Sequence, residues 1–596
     1  MAGPAERTGA SPAPAELGAY VALTALGLGL RLYDLGSRAL HHDESLHALF
    51  AWYLYQGRGY AHDPMMHGPF QFHALALIYF LFGDSDATAR LLAALCGTAA
   101  IGACYWLRPW LGRIGALTAA LLLTFSPIML YFSRFARNDI IIAFWNLLIV
   151  LGLWDYVARR RPAALILAAG AIGLGFATKE VTFITVAIFG VFFGLRLLRE
   201  LFEAAGPDPA AALRTLTSPA KAPLYLAPLV VVGGLSLPQF SAGVELPAAW
   251  LGFGPLAPNP AYPPPWAGLA AGGLAGALVA GSLGAGLLGI RPGLALGLAV
   301  LPFGAVFPLA PAPPDHFQGL LLNLALYGGA TLSAWGLAGR PAPADLSLFA
   351  AGGGLVPSLI YRVALMSGGP PPAWAGLVVA ALIGLTVGVG LAWERRLWPV
   401  LLGVFYVPYT LLYTTFLTNL PGFSSGIWGS LQYWLLQHEV QRGAQPWYYY
   451  LLLLPIYEFL PITLGLAGLV LWTHRTPPVR LWALSVALAA LTALFLPGEA
   501  GRLGALSLLG LGLLALGLAP VRDLTAEFRL FLIFWAAATF IGYAIAGEKM
   551  PWLGVHLTLP LILAAGRAAQ DLSGGDLHPL KDPRPWLAAV AGLLGL

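Results

Sequence analysis

Charge is what this sequence lacks most. Of its 596 residues only 10% are Asp, Glu, Lys or Arg, while 58% are hydrophobic. Soluble domains carry about 25% charged residues, so a water-soluble globule is excluded. Cysteine is nearly missing too. Cys96 and Cys104 lie in one apolar stretch, two helical turns or about 12 Å apart, too far for a disulfide with each other. They read as packing residues. The ~10-residue alternating segments of a membrane β-barrel are absent. So is the internal repeat common in transporters. No glycine loop cradles a phosphate, and the 72 glycines fall in apolar runs where helix packing explains them. No nucleotide cofactor is expected.

What is present is a succession of apolar runs with the length, about 17–25 residues, that crosses a hydrocarbon core as a helix. The mean hydropathy is +0.76. The sequence therefore specifies an all-α polytopic membrane protein with roughly 13–19 spans. The net charge of +5 does not indicate nucleic acid, because the basic residues are scattered at helix ends. Residues 1–16 form a Pro/Ala-rich tail with the composition of disorder. The run from Leu17 has no cleavage site and reads as an uncleaved first span.

Orientation follows from parity and the Lys/Arg bias. Spans are expected at about 17–35, 84–107, 114–132, 139–157, 163–178 and 181–202, with 68–82 a short surface helix. About seven more lie between 222 and 417, then 450–472, 481–496, 503–520, 528–546 and a last one after Pro551. The basic clusters at 108–113, 159–161 and 196–221 then share one side, the cytoplasm. The polar clusters share the other. Four units result: the tail; an N-terminal module, 17–202, with an extended outer loop over 34–83; a Gly/Ala/Pro-rich region, 203–417; and a C-terminal region, 418–596, with outer loops 418–449 and 547–552. The final apolar segment, 586–596, is too short to span.

The chemistry is concentrated in five stretches. The first, "HHDESLHALF" (41–50), opens an outer loop that holds six of the eleven histidines: His41, His42, His47, His62, His67 and His73. An acid at a membrane surface can take a proton from a hydroxyl or hold a divalent cation. Asp43 and Glu44 are candidates for both, with His42 as a further metal ligand, although no zinc-type spacing is present. The second, "FSRFARND" (132–139), sets Arg134 and Arg137 three apart, on one helical face, as a phosphate clamp beside Asp139. The third is Lys179-Glu180 at the end of a short span, with Lys179 within reach of a phosphate and Glu180 in an interfacial ion pair. The fourth, "QHEVQRGAQPWYYY" (437–450), offers His438, Arg442 and Trp447 to a sugar, its tyrosines belonging to the interfacial belt. The fifth, "GEKMPWLGVH" (547–556), contributes Lys549 and a cavity-facing His556.

These motifs resemble the GT-C fold of membrane glycosyltransferases. The branch is that of protein O-mannosyltransferases and aminoarabinose transferases (glycosyltransferase family 39-like). The set "HHDES", "SRFARND", "TKE", "QPWYYY" and "EKMPWL" is most similar to a bacterial and archaeal group described as flippase activity-associated. The resemblance covers about 17–200 and 400–570. It implies a sugar donor on a polyprenyl phosphate, a protein or lipid/glycan acceptor, and an inverting single displacement at the extracytoplasmic face of the cell membrane. By motif, Asp43 and Glu44 become base or metal ligands and Asp139 the second acid. Arg134, Arg137 and Lys179 become phosphate contacts. A divalent metal is the candidate cofactor. The rival readings are a lipid-linked sugar flippase and a non-catalytic partner of a glycosylation assembly.

Overall fold

The computed structural model describes residues 14–206, 208–216, 222–244, 373–437, 445–495, 498–521 and 523–574. Among them there are helices and no strands. Hydrocarbon offers no hydrogen bonds to a backbone, so the apolar runs satisfy theirs internally. The first half comprises α1 (Pro14–Leu32), α2 (His42–Tyr55), α3 (Phe70–Phe82), α4 (Asp86–Ala103), α5 (Arg113–Phe125), α6 (Pro127–Phe132), α7 (Asp139–Arg159), α8 (Pro162–Phe176) and α9 (Val181–Ala205). The second half comprises α10 (Ala373–Trp393), α11 (Trp398–Tyr413), α12 (Tyr449–Tyr457), α13 (Phe459–Arg475), α14 (Pro477–Phe495), α15 (Gly498–Gly517), α16 (Leu524–Ile545) and α17 (Gly554–Leu572).

Six of the described helices are long and apolar enough to cross a membrane, or up to eight if each of two bent pairs is one span. α5 and α8 are among the shorter apolar helices. Most of the spans expected between 222 and 417, and the segment 586–596, lie outside the described residues.

Two expected spans are broken. The run 114–132 stops at Phe125 and restarts at Pro127, where Ser126 caps α6 by accepting from the Met129 N–H. The run 450–472 bends by 105° between α12 and α13. One residue serves both breaks. Glu458, fully buried at the bend, accepts from the Ser126 hydroxyl at 2.6 Å and the Ile128 N–H at 2.9 Å. It thereby satisfies donors that a helix start leaves unpaired.

α17 is the hub of the second half. It packs on α5, α13 and α16, and Gly115 meets Gly566 where α5 crosses α17. A Cβ on either would strike the other's carbonyl oxygen, so both must be glycine for the backbones to approach this closely. The main core joins residues of α4, α5, α7, α8, α9, α16 and α17. A smaller one, with Ala51, Phe72, Leu75 and Tyr79, lies under the loop 34–83.

Charge separates to the two ends. Glu16 at the start of α1 pairs with Arg108 and Arg113. Arg196 pairs with Glu527, and Asp571 with Arg529 and Arg567. This is the basic end. At ~1.5 Å per residue, 19-residue α1 carries the chain about 28 Å away from it. There the loop 34–83, the turns 133–138 and 177–180, residues 413–434 and residues 546–556 gather into a polar end.

Candidate active site

The "HHDE" segment first explains the start of α2. His41 is the N-cap, its Nδ1 accepting from the Asp43 N–H at 3.2 Å, while Glu44 accepts from the His41 N–H at 2.9 Å. This is a capping box, with the two residues satisfying each other's exposed donors. Glu44 does more than cap. Fully buried, it receives Arg90 Nε at 2.7 Å and Nη2 at 3.0 Å, Arg38 at 3.1 Å and the Ala136 N–H at 2.9 Å. Burial alone would raise its carboxyl pKa. The Arg90 bonds and the His41 and Ala136 N–H groups outweigh that and hold it below the usual value. Both oxygens are engaged, which corrects the expectation of Glu44 as base or metal ligand. It is a structural anchor for α2, α4 and the turn at 136.

Asp43, one residue earlier, faces the other way. Its side chain keeps 25% exposure and forms a short ion pair with Arg137 Nη1. Arg137 lies 3.9 Å from the centroid of the Trp552 ring and reaches Asp139 Oδ2 at 3.6 Å through Nε. Asp139, buried at the start of α7, takes Lys179 Nζ at 2.6 Å and His556 Nε2 at 2.9 Å on Oδ1. His556 stacks on Tyr543, centroids 5.8 Å apart and planes within 5°. Residues from four sequence motifs thus form one network: Asp43, Arg137, Asp139, Lys179 and His556.

Several expected members are elsewhere. Residues 133–138 are turn and bend, not helix, so Arg134 and Arg137 do not share a helical face. Arg134 donates to the Leu30 carbonyl at 2.7 Å and the Asp34 carbonyl at 3.2 Å, closing the end of α1. Trp447 is 59% exposed and makes no contact with the network. Lys549 is buried and donates to the Ala546 carbonyl at 2.7 Å. His438 and Arg442 lie outside the described residues. His42 is exposed, and among the described residues no three His, Cys, Asp or Glu side chains converge on a point that suits a metal. With Glu44 saturated, the trio Asp43, Glu44 and His42 does not fit a divalent cation.

Lys179 and Glu180 do not pair with each other. Lys179 turns to Asp139, and Glu180 Oε2 meets His67 Nδ1 at 2.7 Å. Burial pushes Glu180 up to about 8. Burial, with Lys179 and Arg137 nearby, holds His67 well below its usual value. The two shifts, imidazole down and carboxyl up, both favour a neutral hydrogen bond between them over an ion pair. His67, Glu180, His47 and Trp434 are the polar-end residues whose place the sequence conceals. The linear signal for His67 is the following glycine. A Cβ on Gly68 would collide with the Ala177 carbonyl, because residues 68–70 bond to this turn: Gly68 N–H to Thr178 O at 3.2 Å and Phe70 N–H to Ala177 O at 2.8 Å.

Fold and network together define an all-α, polytopic membrane protein with a charged site at one end of its bundle. Residues 66–210 match the family model described as dolichyl-phosphate-mannose-protein mannosyltransferase. Among solved structures, ArnT from Cupriavidus metallidurans in the apo state is 19% identical. That alignment covers 64% of this chain and 78% of that one, with a TM-score of 0.28. The same protein bound to undecaprenyl phosphate gives 19%, 62%, 76% and 0.27. The archaeal oligosaccharyltransferase AglB from Archaeoglobus fulgidus, in complex with an inhibitory peptide and a dolichol-phosphate, is 13% identical. Here the alignment covers 98% of this chain and 54% of that one, with a TM-score of 0.38. No curated protein matches the chain by sequence.

Proposed function

We propose that this chain moves a sugar from a polyprenyl-phosphate donor to a hydroxyl of a protein, lipid or glycan acceptor, at the extracytoplasmic face of the cell membrane. The carrying observation is the half-open carboxylate of Asp43, joined through Arg137 to the buried Asp139–Lys179–His556 group. Asp43 is the acid of this network that retains access to water, as a base must. It takes the proton of the acceptor hydroxyl as that oxygen attacks the anomeric carbon. The bond from this carbon to the phosphate oxygen breaks, and polyprenyl phosphate departs with the electron pair. Attack opposite the leaving group inverts the anomeric centre. Arg137 and Lys179 stabilise the negative charge gathering on the phosphate. Asp139 and His556 hold Lys179 in position. The Trp552 face keeps Arg137 in place. The arginine-rich opposite end supports a cytoplasmic placement for that side and an external one for the site.

The test is transfer by the purified protein in lipid nanodiscs, using a radiolabelled polyprenyl-phosphate hexose and a membrane extract as the source of acceptor. Asp43→Asn should fold normally and lose about 100-fold or more of its rate, the range for a missing general base. Unchanged transfer in that variant would overturn the role given to Asp43.

A further inference from the structure

Far from the polar end, a cleft opens between three helices on the basic side of the bundle. It holds about 530 Å³ and is bounded by Val191 and Leu195 of α9, Gly510, Leu511 and Leu514 of α15, and Phe534 of α16. That volume falls within the ~300–1,000 Å³ of ligand clefts. The lining is apolar but for Ser507. Phe534 is buried and forms the floor, while Val191, Leu511 and Leu514 are exposed at the rim. Arg196 fixes the depth of the cleft along the bundle. At the basic end it donates to the Gly517 and Ala519 carbonyls and pairs with Glu527. Leu511 and Leu514 precede Gly517 by about 9 and 4.5 Å of helix. The cleft therefore lies in the half of the hydrocarbon core next to the basic end.

α9 and α15 meet at Gly517, where a Cβ would strike the Leu195 side chain. Gly510, two turns earlier, is different: a Cβ there would meet nothing within 4 Å. Close helix packing does not require this glycine, and glycine weakens a helix relative to alanine. Its missing side chain leaves the cleft open. The next turn of α9 carries charge. Val191, Leu195 and Arg199 succeed one another at four-residue steps, so they share one face of the helix. Arg199 gives Nε, at 3.0 Å, and Nη2 to a single oxygen of Glu203, whose side chain is 54% exposed. Its Nη1 is buried and has no acceptor.

We propose that this cleft binds one anionic phospholipid of the leaflet on the basic side, with an acyl chain between α9, α15 and α16 and the headgroup phosphate on Arg199. The site is separate from the transfer reaction proposed above and independent of it. Hydrocarbon is the medium at this depth. A lipid chain, not water, restores the dispersion contacts that an empty cleft forfeits. Ordinary surrounding lipid slides over convex helix faces, whereas here a chain sinks below the helix surface as far as Phe534. A guanidinium takes a phosphate through paired N–H groups, and both donors on Nη1 are available for it. An i,i+4 pair with a half-exposed carboxylate is weak, so Glu203 yields to a phosphate. Basic groups at a membrane surface attract anionic lipids. A zwitterionic lipid offers the same chain and phosphate, but its ammonium enters the field of Arg199 and Arg196.

The experiment is a lipid titration of the full-length protein, freed of native lipid in detergent, with bound lipids counted by native mass spectrometry. The probes are phosphatidylglycerol and phosphatidylcholine with identical chains, and glycerol phosphate as a headgroup without chains. Wild type should bind one phosphatidylglycerol about tenfold or more tighter than phosphatidylcholine, the equivalent of roughly 1.4 kcal/mol. Glycerol phosphate should not displace it. Gly510→Phe fills the cleft and should abolish the tight adduct, whereas Gly510→Ala should keep it. Arg199→Gln should still take a lipid but lose the preference for phosphatidylglycerol. Thermal unfolding certifies that each variant folds. If Gly510→Phe melts early, Ser507→Phe blocks the same cleft from one turn away. The inference is overturned if the two lipids bind wild type equally, or if a folded blocking variant keeps the tight adduct. It is equally overturned if Arg199→Gln keeps the preference, or if glycerol phosphate displaces the lipid, which would reveal a site for the headgroup alone.

Discussion

A carboxylate that must collect a proton has to stay partly wet, and one that anchors a helix start has to give water up. Glu44, adjacent to Asp43 in the first turn of α2, takes the second duty, while the first is the one proposed for the partly exposed Asp43. Glu44→Gln leaves buried Arg90 without its counter-charge, and breaking a buried pair from one side costs about 3–5 kcal/mol. Its expected result is a large fall in folded yield and melting temperature, read by thermal unfolding in detergent, whereas Asp43→Asn should melt like wild type. His67 supports a second residue-scale prediction. Glycine and alanine remove the same imidazole, but only glycine relaxes at φ 69° and ψ −170°. His67→Gly should therefore exceed His67→Ala in unfolding free energy by about 1–2 kcal/mol. Equal stabilities in denaturant titrations would deny the strain. The sequence made the pair Asp43 and Asp139 legible, because acids flanking apolar runs stand out. It did not separate Glu44 from Asp43, since the difference lies in Arg90 and Ala136, which neighbour them only in the folded chain.

At the scale of elements, the loop 34–83 carries α2 and α3 and rests on buried, uncharged polar groups. Its pH response can be worked out. His47 and His62 titrate near 6.5 when free, and burial takes both to about 3. What they contribute is present above 6.5 and is lost as pH falls toward 3. Glu180 moves from 4.5 to about 8 on burial. Its contribution is present below 4.5 and is lost as pH rises through 8. Two groups slope one way below 6.5 and one slopes the other way above 4.5, so stability should peak near pH 6.5. Glu180→Gln should flatten the alkaline limb, and His47→Phe with His62→Phe the acid limb, in melting temperatures taken from pH 4 to 9. Helix positions were readable wherever a long apolar run ended in charge: 139–157 became Asp139–Arg159 and 163–178 became Pro162–Phe176. The breaks at Ser126 and Glu458 were not, because each is stabilised by a partner more than 300 residues away in the chain.

For the whole molecule, the sorting of arginine ion pairs to one end and the acid–histidine network to the other follows from charge placement along the sequence. The contact between the halves does not, and it is where the site closes. The first loop is bonded to the N-terminal half through Gly68 and Phe70. It is bonded to the C-terminal half through His62 Nδ1 to Ser425 Oγ at 2.8 Å and Thr415 Oγ1 to the Tyr60 carbonyl at 2.9 Å. His556 arrives later still. A fragment ending at residue 400 should insert in membranes yet bind no polyprenyl phosphate, while co-expression with the remainder should restore binding. Binding by the fragment alone would contradict this.

The His62–Ser425 bond spans 363 residues. At a synthesis rate of about 5–20 residues per second, the ribosome needs roughly 20–70 s to supply the second partner after the first has emerged. During that interval the histidine-rich loop already faces its compartment with Asp43 in place but without Ser425, Trp434 or His556. If the proposed transfer is this chain's reaction, a nascent chain should not act on the lipid pool, and activity should appear only when translation is nearly complete.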